Sequence, residues 1–438
     1  MTDVVSSIEL LHDRALRLIP GGTHSNSRLR EPRPLYLDRA EGPYVWDVAG
    51  ERYLDCTMGN GAVMLGHGHP VVSEAVATVV ACGLTAGYES RYAVEAVELL
   101  AEIVPDFGCA RFANTGTEAA MHALQIARAA TGRDGVAKIE GAYHGWHDPL
   151  WVACWAPEEA LGALHAPLSP PGSAGLARHT ADTLVLPFND IAATERLLRA
   201  RAGDLAAVFV EPVLIDVGWI PAAPAYLEAL RGLTLDLGIV LVFDELLTGF
   251  RLAPGGAREW YGVTPDLTLY GKALGNGYPV AAVEGREELM ALTDPSAGGS
   301  VGYVGTFNGH AVALAAVVAA LGVLRDGSTQ AYLQRLTESL NDGLRELGER
   351  YGVDVVAAGG GGHFQPYFAP GPIVDYRSAL TVSARDYATF ANTLTRRNIL
   401  VAEKPLLHSA LSAAHTQEHV DELLAAAEVA FAEIAEGR

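Results

Sequence analysis

From about residue 70 onward the chain alternates helical stretches with short, continuous apolar runs, and this alternation narrows the possible folds more than any other feature. The runs are Leu184–Leu186, Ala206–Val210, Ile239–Phe243 and Leu267–Tyr270. A strand that is apolar along its whole length is buried on both faces. The segments between the runs are long enough to cross over as helices. The pattern predicts an α/β fold with a mostly parallel central sheet covered by helices on both sides. With 438 residues, half of them hydrophobic, the chain can bury a large core, which excludes a disordered or fibrous protein.

Other segments fill in the organisation. A helical pattern over Ile8–Leu18 leads into the turn Pro20-Gly21-Gly22. Tyr44-Val-Trp-Asp-Val, Gly50 and Tyr53-Leu-Asp read as a hairpin. Between Pro157 and Thr183, prolines at 157, 167, 170 and 171 and weak periodicity predict a long surface loop, the kind that serves as a lid. The apolar run Ala311–Leu324 is too short to span a bilayer and reads as a buried helix. A long amphipathic helix over about 328–351 follows. After it come Val353–Val356, a flexible glycine turn at 359–362, and His363–Tyr367, which would line a substrate entrance. A last amphipathic helix starts near Thr416. The expected division is an N-terminal segment, 1–60, packing on a small C-terminal domain, 321–438, with a large domain, 61–320, between them.

The formal net charge of −21 argues against nucleic acid or an anionic membrane as the main partner, since both repel an anion. It favours neutral or cationic small substrates, or serves solubility alone. Cys56, Cys82, Cys109 and Cys154 lack C-x-x-C spacing and are too few for a disulfide framework, as in a reducing cytoplasmic setting. No basic start with an apolar run, the signature of a signal peptide, is visible. His67, His69, His144 and His147 lie in separate segments without carboxylates at ligand spacing, so no metal site is expected. Dinucleotide, Walker-type, zinc-protease and nucleophile-elbow signatures are absent.

Four segments carry the chemistry. In Asn114-Thr-Gly-Thr-Glu-Ala, Thr115 and Glu118 form a capping box ahead of a helical run. A glycine there leaves N–H groups open to an anion, although an ordinary capped helix has the same sequence. Asp244 closes the apolar run Ile239–Phe243, which places it at a strand's carboxyl end where α/β proteins bind ligands, or simply in a turn. Lys272 follows Leu269-Tyr-Gly, either partly desolvated and nucleophilic or plainly exposed. Gly305-Thr306-Phe-Asn-Gly is a polar turn before a buried helix. Together they match the needs of pyridoxal 5′-phosphate. Its aldehyde requires a lysine, its pyridine nitrogen requires a carboxylate, and its phosphate requires backbone donors.

At this point the chain resembles the class III, fold-type I pyridoxal phosphate enzymes, and most of all the glutamate-1-semialdehyde aminomutase branch. The resemblance covers nearly the whole length. It runs through Pro20-Gly-Gly, Leu65-Gly-His-Gly-His-Pro, Asn114-Thr-Gly-Thr-Glu-Ala, Tyr143-His-Gly and Pro187-Phe-Asn-Asp. It continues through Val210-Glu-Pro, Phe243-Asp-Glu-Leu-Leu-Thr-Gly-Phe-Arg, Gly271-Lys272, Gly305-Thr306-Phe and Ser412-Ala-Ala-His-Thr. It implies the fold-type I architecture, with a smaller α+β domain built from both termini. It also implies that Lys272 is the Schiff-base lysine and proton shuttle, and that Asp244 pairs with the pyridinium nitrogen. Gly116 and Thr117 would hold the phosphate, Tyr143 would stack on the ring, and Glu211 would lie beside the ring and the aspartate. Thr306 would complete the phosphate site of the neighbouring subunit in a homodimer with shared active sites. Arg28 matches the arginine that binds a substrate carboxylate.

Three departures from the aminomutase stand out. Asn60 occupies the place of a tryptophan, His408 that of a glutamate, and Ser169-Pro-Pro-Gly is a remnant of the lid. Losing the lid and acidic gate favours release of the product, which is ordinary transamination. The expected enzyme takes an amino group from an amino acid, plausibly L-glutamate, and gives it to an aldehyde or ketone. An oxidised amino sugar or aminoglycoside in antibiotic biosynthesis would suit the acidic charge. The rivals are a pyridoxal phosphate isomerase (the aminomutase or an epimerase), a β-amino acid aminotransferase, and a non-catalytic binding domain. The last would lack Lys272 or Asp244 or carry a DNA-binding module.

Overall fold

The structure is a computed structural model that describes residues 2–30 and 32–437. Its centre is a seven-stranded sheet. In chain order the strands are β1 (Cys109–Ala113), β2 (Gly135–Ile139), β3 (Leu184–Leu186), β4 (Leu205–Val210), β5 (Val240–Glu245), β6 (Leu267–Gly271) and β7 (Ala281–Gly285). They lie side by side in the order β1-β7-β6-β5-β4-β2-β3. Only β7 runs against the rest, pairing antiparallel with both β6 and β1. The four apolar runs become β3, β4, β5 and β6. Three strands escaped the periodicity argument: β1 and β2 carry a polar or charged residue mid-strand, and β7 is short and alanine-rich.

Alternation along the strands covers both faces. Val240 and Val242 point to a core shared with the helix Gly116–Thr131, while Leu241 and Phe243 point to a core shared with the helix Pro224–Leu237. The third and largest core collects the apolar faces of the helices Ala311–Leu324, Ser328–Tyr351, Ala384–Thr395 and Gln417–Glu436. The expected buried helix spans Ala311–Leu324, and ten of its residues are buried. The expected hairpin pairs Tyr44–Asp47 with Arg52–Asp55, and the latter strand also pairs in parallel with Ile399–Leu400.

Two expectations need adjusting. The glycine run is not a free turn. Gly359 and Gly360 belong to the strand Val356–Gly360, and only Gly361 and Gly362, at φ +54° and +95°, make the turn to His363–Tyr367. A Cβ on Gly359 would sit 2.3 Å from the His363 carbonyl oxygen, so glycine serves close strand approach there. The stretch 157–183 is not bare loop either. It contains short 3-10 turns at Glu158–Ala160 and Arg178–Asp182 and a two-residue ladder between Gly162–Ala163 and Ala166–Pro167.

Candidate active site

The chemistry-bearing residues meet at the carboxyl ends of the parallel strands. Gly116 and Thr117 open the helix just past β1. Tyr143 and His144 follow β2, Glu211 follows β4, Asp244 is the penultimate residue of β5, and Lys272 follows β6 directly. Lys272 stands at φ +50°, an uncommon conformation for a side-chain-bearing residue.

Asp244 is buried, and both of its oxygens are engaged. Oδ2 lies 2.8 Å from His144 Nδ1, and Oδ1 accepts the Leu246 N–H at 3.1 Å. His144 is fully buried. Burial depresses its pKa, against the pull of Asp244 and with a smaller push from Lys138. Burial thus favours the neutral imidazole, whose Nδ1–H donates to Asp244 and orients the carboxylate. His144 Nε2 is buried without a hydrogen-bond partner among the described residues.

The helix start behaves as its capping box requires. Thr115 Oγ1 accepts the Glu118 N–H at 3.1 Å, and the Glu118 carboxylate takes the N–H groups of Asn114 and Thr115 at 2.7 and 3.2 Å. The N–H groups of Gly116 and Thr117 are left open, where the helix dipole favours an anion. A Cβ on Gly116 would sit 2.4 Å from Leu246 Cδ1, so the turn has no room for another residue. Gly145, at φ +91°, brings the Tyr143–Gly145 turn onto Thr117, where a Cβ would meet Oγ1 at 2.7 Å.

On the other side of Lys272 lie two more carboxylates. Glu211 accepts the N–H groups of Tyr143 at 2.9 Å and Ile215 at 3.2 Å. Burial first, then Asp216 and Asp244, push its pKa well above the usual carboxylate range. Asp216 is also raised, by burial and by Asp244, while the Lys272 ammonium pulls it back. Its carboxylate accepts no hydrogen bond from a described residue, and its nearest cationic or imidazole nitrogen is His408 Nε2 at 3.8 Å. His408 is buried, with its pKa pushed down to about 3 by burial and then by Lys272 and Arg251. Its Nδ1 is 3.0 Å from His363 Nδ1, which is 3.3 Å from the Ser409 carbonyl. A carbonyl only accepts, so the proton sits on His363 Nδ1 and His408 aims Nε2–H at Asp216. Trp219 stacks on His363, and Trp155 stacks on Tyr143 with ring centroids 5.1 Å apart.

The structure thus gathers Lys272, Asp244, Gly116, Thr117, Tyr143, Glu211 and His408. It keeps others at a distance. Asn60 is exposed at φ +56°, and its loop reaches the site only through Gly61, whose carbonyl accepts from the buried Arg251 at 2.5 Å. Arg28 is exposed in the 3-10 turn Asn26–Arg28, with no described contact to the cluster. Thr306 is exposed as well, in a loop tied to the helix start by the bond from Asn114 Nδ2 to Asn308 Oδ1 at 3.1 Å. His144, Asp216 and His363 were missed as site residues. His144 was visible inside the Tyr143-His-Gly motif and His363 opens the segment expected at the substrate entrance, though neither was assigned a role, whereas no local pattern marks Asp216.

The sequence profile of the family described as Aminotransferase class-III matches residues 26–363. The glutamate-1-semialdehyde 2,1-aminomutase of Chloroflexus aurantiacus is 38% identical over 443 aligned positions, covering 99% of this chain and 98% of that one. An omega-transaminase from Sphaerobacter thermophilus superposes with a TM-score of 0.92 at 35% identity, over 97% of each chain. A β-phenylalanine aminotransferase from Variovorax paradoxus gives 0.86 at 29% identity, over 100% of this chain and 95% of that one. The chain belongs to the class III aminotransferase family. It has the α/β fold of the fold-type I pyridoxal phosphate enzymes, and its cofactor is pyridoxal 5′-phosphate.

The residues present fit that cofactor. Two open N–H groups at a helix start suit a phosphate, a buried, oriented carboxylate suits a pyridinium, and a lysine amine suits an aldehyde. Burial first, and neighbouring carboxylates after it, push Glu211 and Asp216 up in pKa.

Proposed function

We propose that this enzyme moves an amino group from an amino acid donor, L-glutamate, to a separate aldehyde or ketone, and that the acceptor carries a positive charge, as an oxidised amino sugar does. Bound in the cleft, pyridoxal phosphate supplies an aldehyde that the amine can condense with and an electron sink for the carbanion at Cα. Lys272 is the residue that holds and then moves the proton at the substrate Cα. Asp244, oriented by His144, would hold the cofactor's pyridine nitrogen. Gly116 and Thr117 bind the phosphate through their N–H groups, Tyr143 packs on the ring, and Glu211 fixes the Tyr143 backbone.

The observation that carries the acceptor assignment is Asp216. It accepts no hydrogen bond from a described residue, and the Lys272 charge that lowers its pKa would be given up in holding the cofactor's aldehyde. A cationic group on the acceptor restores the balance. His408, neutral where the aminomutase branch has a glutamate, supports release of the product over its reuse. Arg28 and Asn60 are assigned to the substrate mouth. Thr306 is assigned to the partner's phosphate site in a cytoplasmic homodimer, with residues 61–320 as the cofactor-binding domain and both termini forming the smaller one.

The test has two halves. Holoenzyme mixed with L-glutamate should lose its yellow absorbance and release stoichiometric 2-oxoglutarate. The aminated enzyme should then recover its colour with ammonium-bearing aldehydes at least tenfold faster than with carboxylate-bearing ones. Isomerisation of glutamate-1-semialdehyde with no net transfer to a second molecule would instead make the protein an aminomutase.

A further inference from the structure

Behind the Tyr143–His144 turn lies a buried pair that the transfer chemistry does not use. Lys138 sits on β2, between β4 and the edge strand β3, and is fully buried. Its Nζ donates to the carbonyls of Ala142 at 2.5 Å and Val152 at 2.7 Å, and to Cys154 Sγ at 3.1 Å. Among the described residues, no carboxylate lies within ion-pair distance of that nitrogen. Its contacts are two carbonyls and a sulfur, and of these the sulfur is the one that oxidation turns into a partner for an amine. Cys154 is itself buried. Its neighbours Ala153 and Trp155 both stand in the left-handed region, at φ +50° and +49°. Two such non-glycine residues flanking one side chain cost about 1–2 kcal/mol each. The backbone is bent on either side of Cys154, and the bend delivers its sulfur to the lysine.

From this geometry we propose that Lys138 and Cys154 form a covalent nitrogen–sulfur cross-link when the enzyme meets hydrogen peroxide, and that thiols reverse it. In the first step the sulfur attacks one peroxide oxygen, the O–O bond breaks and water leaves, converting the thiol to a sulfenic acid. In the second step the Lys138 nitrogen attacks the sulfur. The N–S bond forms, the S–O bond breaks, and the departing hydroxide leaves as water with the proton given up by nitrogen. One amine, one thiol and one peroxide give a sulfenamide and two waters. The sulfur is oxidised by two electrons, and the peroxide takes both.

The pair is placed to report into the active site. Ala142, whose carbonyl accepts from both Lys138 Nζ and the Cys154 thiol, precedes Tyr143 and His144 directly. Trp155 stacks on Tyr143, and its Nε1–H donates to the Asp216 carbonyl at 3.0 Å. Drawing the nitrogen off Ala142 onto sulfur loosens the turn that packs on Thr117.

The experiment uses holoenzyme with the exposed Cys82 and Cys109 replaced by serine, which leaves two buried thiols. After peroxide, the protein is denatured, alkylated without reductant and digested. The expected result is a peptide pair joining Lys138 to Cys154, lighter by two hydrogens than the sum of its parts and released by dithiothreitol. The absorbance of the bound cofactor should shift with the cross-link and return on reduction. The same protein carrying Cys154→Ala should show neither change. Alkylation of Cys154 after peroxide, or Cys154 carrying two or three oxygens beside an unmodified Lys138, would overturn the proposal.

Discussion

The bond from His144 to Asp244 makes a sharp prediction. His144 Nδ1 donates to Asp244 Oδ2 at 2.8 Å in a site where neither group meets water. A hydrogen bond to a charged group contributes about 1.5–3 kcal/mol, and here it also fixes the carboxylate's direction. His144→Ala removes the donor and should slow the first half-reaction roughly 10- to 150-fold, at about 1.4 kcal/mol per factor of ten. The truncation also opens a cavity, so stability should fall by about 3 kcal/mol, which urea unfolding would read separately. His144→Asn places an amide N–H near the position of Nδ1 and should recover most of the rate. The assay is single-turnover loss of the holoenzyme's absorbance with L-glutamate, with cofactor affinity measured by equilibrium dialysis. Burial lowers the imidazole's pKa and so favours its neutral form. The rate–pH profiles of wild type and His144→Asn should therefore run parallel between pH 6 and 8. A rate for His144→Ala within twofold of wild type would refute the orienting role. Loss of a pH limb in the asparagine variant would show that the histidine titrates.

Further expectations follow from single contacts. Lys272→Ala should abolish both the absorbance of the lysine-bound cofactor and turnover, and retained activity would remove that lysine from the chemistry. Gly145→Ala combines φ +91° with an overlap on Thr117, so it should cost at least about 1–2 kcal/mol and weaken cofactor binding, read by urea titration and dialysis. Arg251→Met strips the donors from the carbonyls of Gly61, Gly361 and Leu247 and should destabilise the fold by about 3 kcal/mol or more in denaturant. For Asp55, burial pushes the pKa up, but hydrogen bonds from His67 and Thr57 outweigh it and the net value falls. A depressed carboxylate contributes stability above its unfolded pKa of about 3.9 and loses it as pH drops through the folded value. Asp55→Asn should lower the melting temperature at pH 7 and flatten its decline below pH 4, and an unchanged acid limb would refute the assignment.

Much of the site was legible because its parts are local. Thr115 and Glu118 announce a helix start by spacing alone, and the start they announce leaves two N–H groups open. Asp244 and Lys272 follow apolar runs, so a parallel sheet must carry both to the same edge. Asp216, His363 and His408 were harder, because their meaning comes from residues far apart in the chain. His363 and His408 touch only after a strand and a loop have returned to one another. Lys138 shows the limit most clearly. A lysine inside a strand reads as an edge or exposed position, yet here it is fully buried because the Ala142 and Val152 carbonyls and a sulfur surround its nitrogen.

These long-range contacts also bear on why this chain and its aminomutase relative can differ in chemistry on one scaffold. The residues proposed to bind the cofactor come from strand ends, and the sheet register fixes them. Asp244 is paired opposite Leu269, three residues before Lys272, and any slip would move both. The residues on the substrate side come from elsewhere: Asp216 from the segment after β4, His363 from a second sheet, and His408 and Asn60 from loops. A substitution in that second set leaves the register untouched. On the proposed function, His408 and Asp216 set which substrates are held and for how long without disturbing Lys272 or Asp244. Exchanging His408 for Glu should therefore leave cofactor affinity within about twofold while shifting the balance between amino transfer and retention of the amino group. A large loss of cofactor in that variant would mean that the two sets are coupled, and that the substrate side is not free to vary.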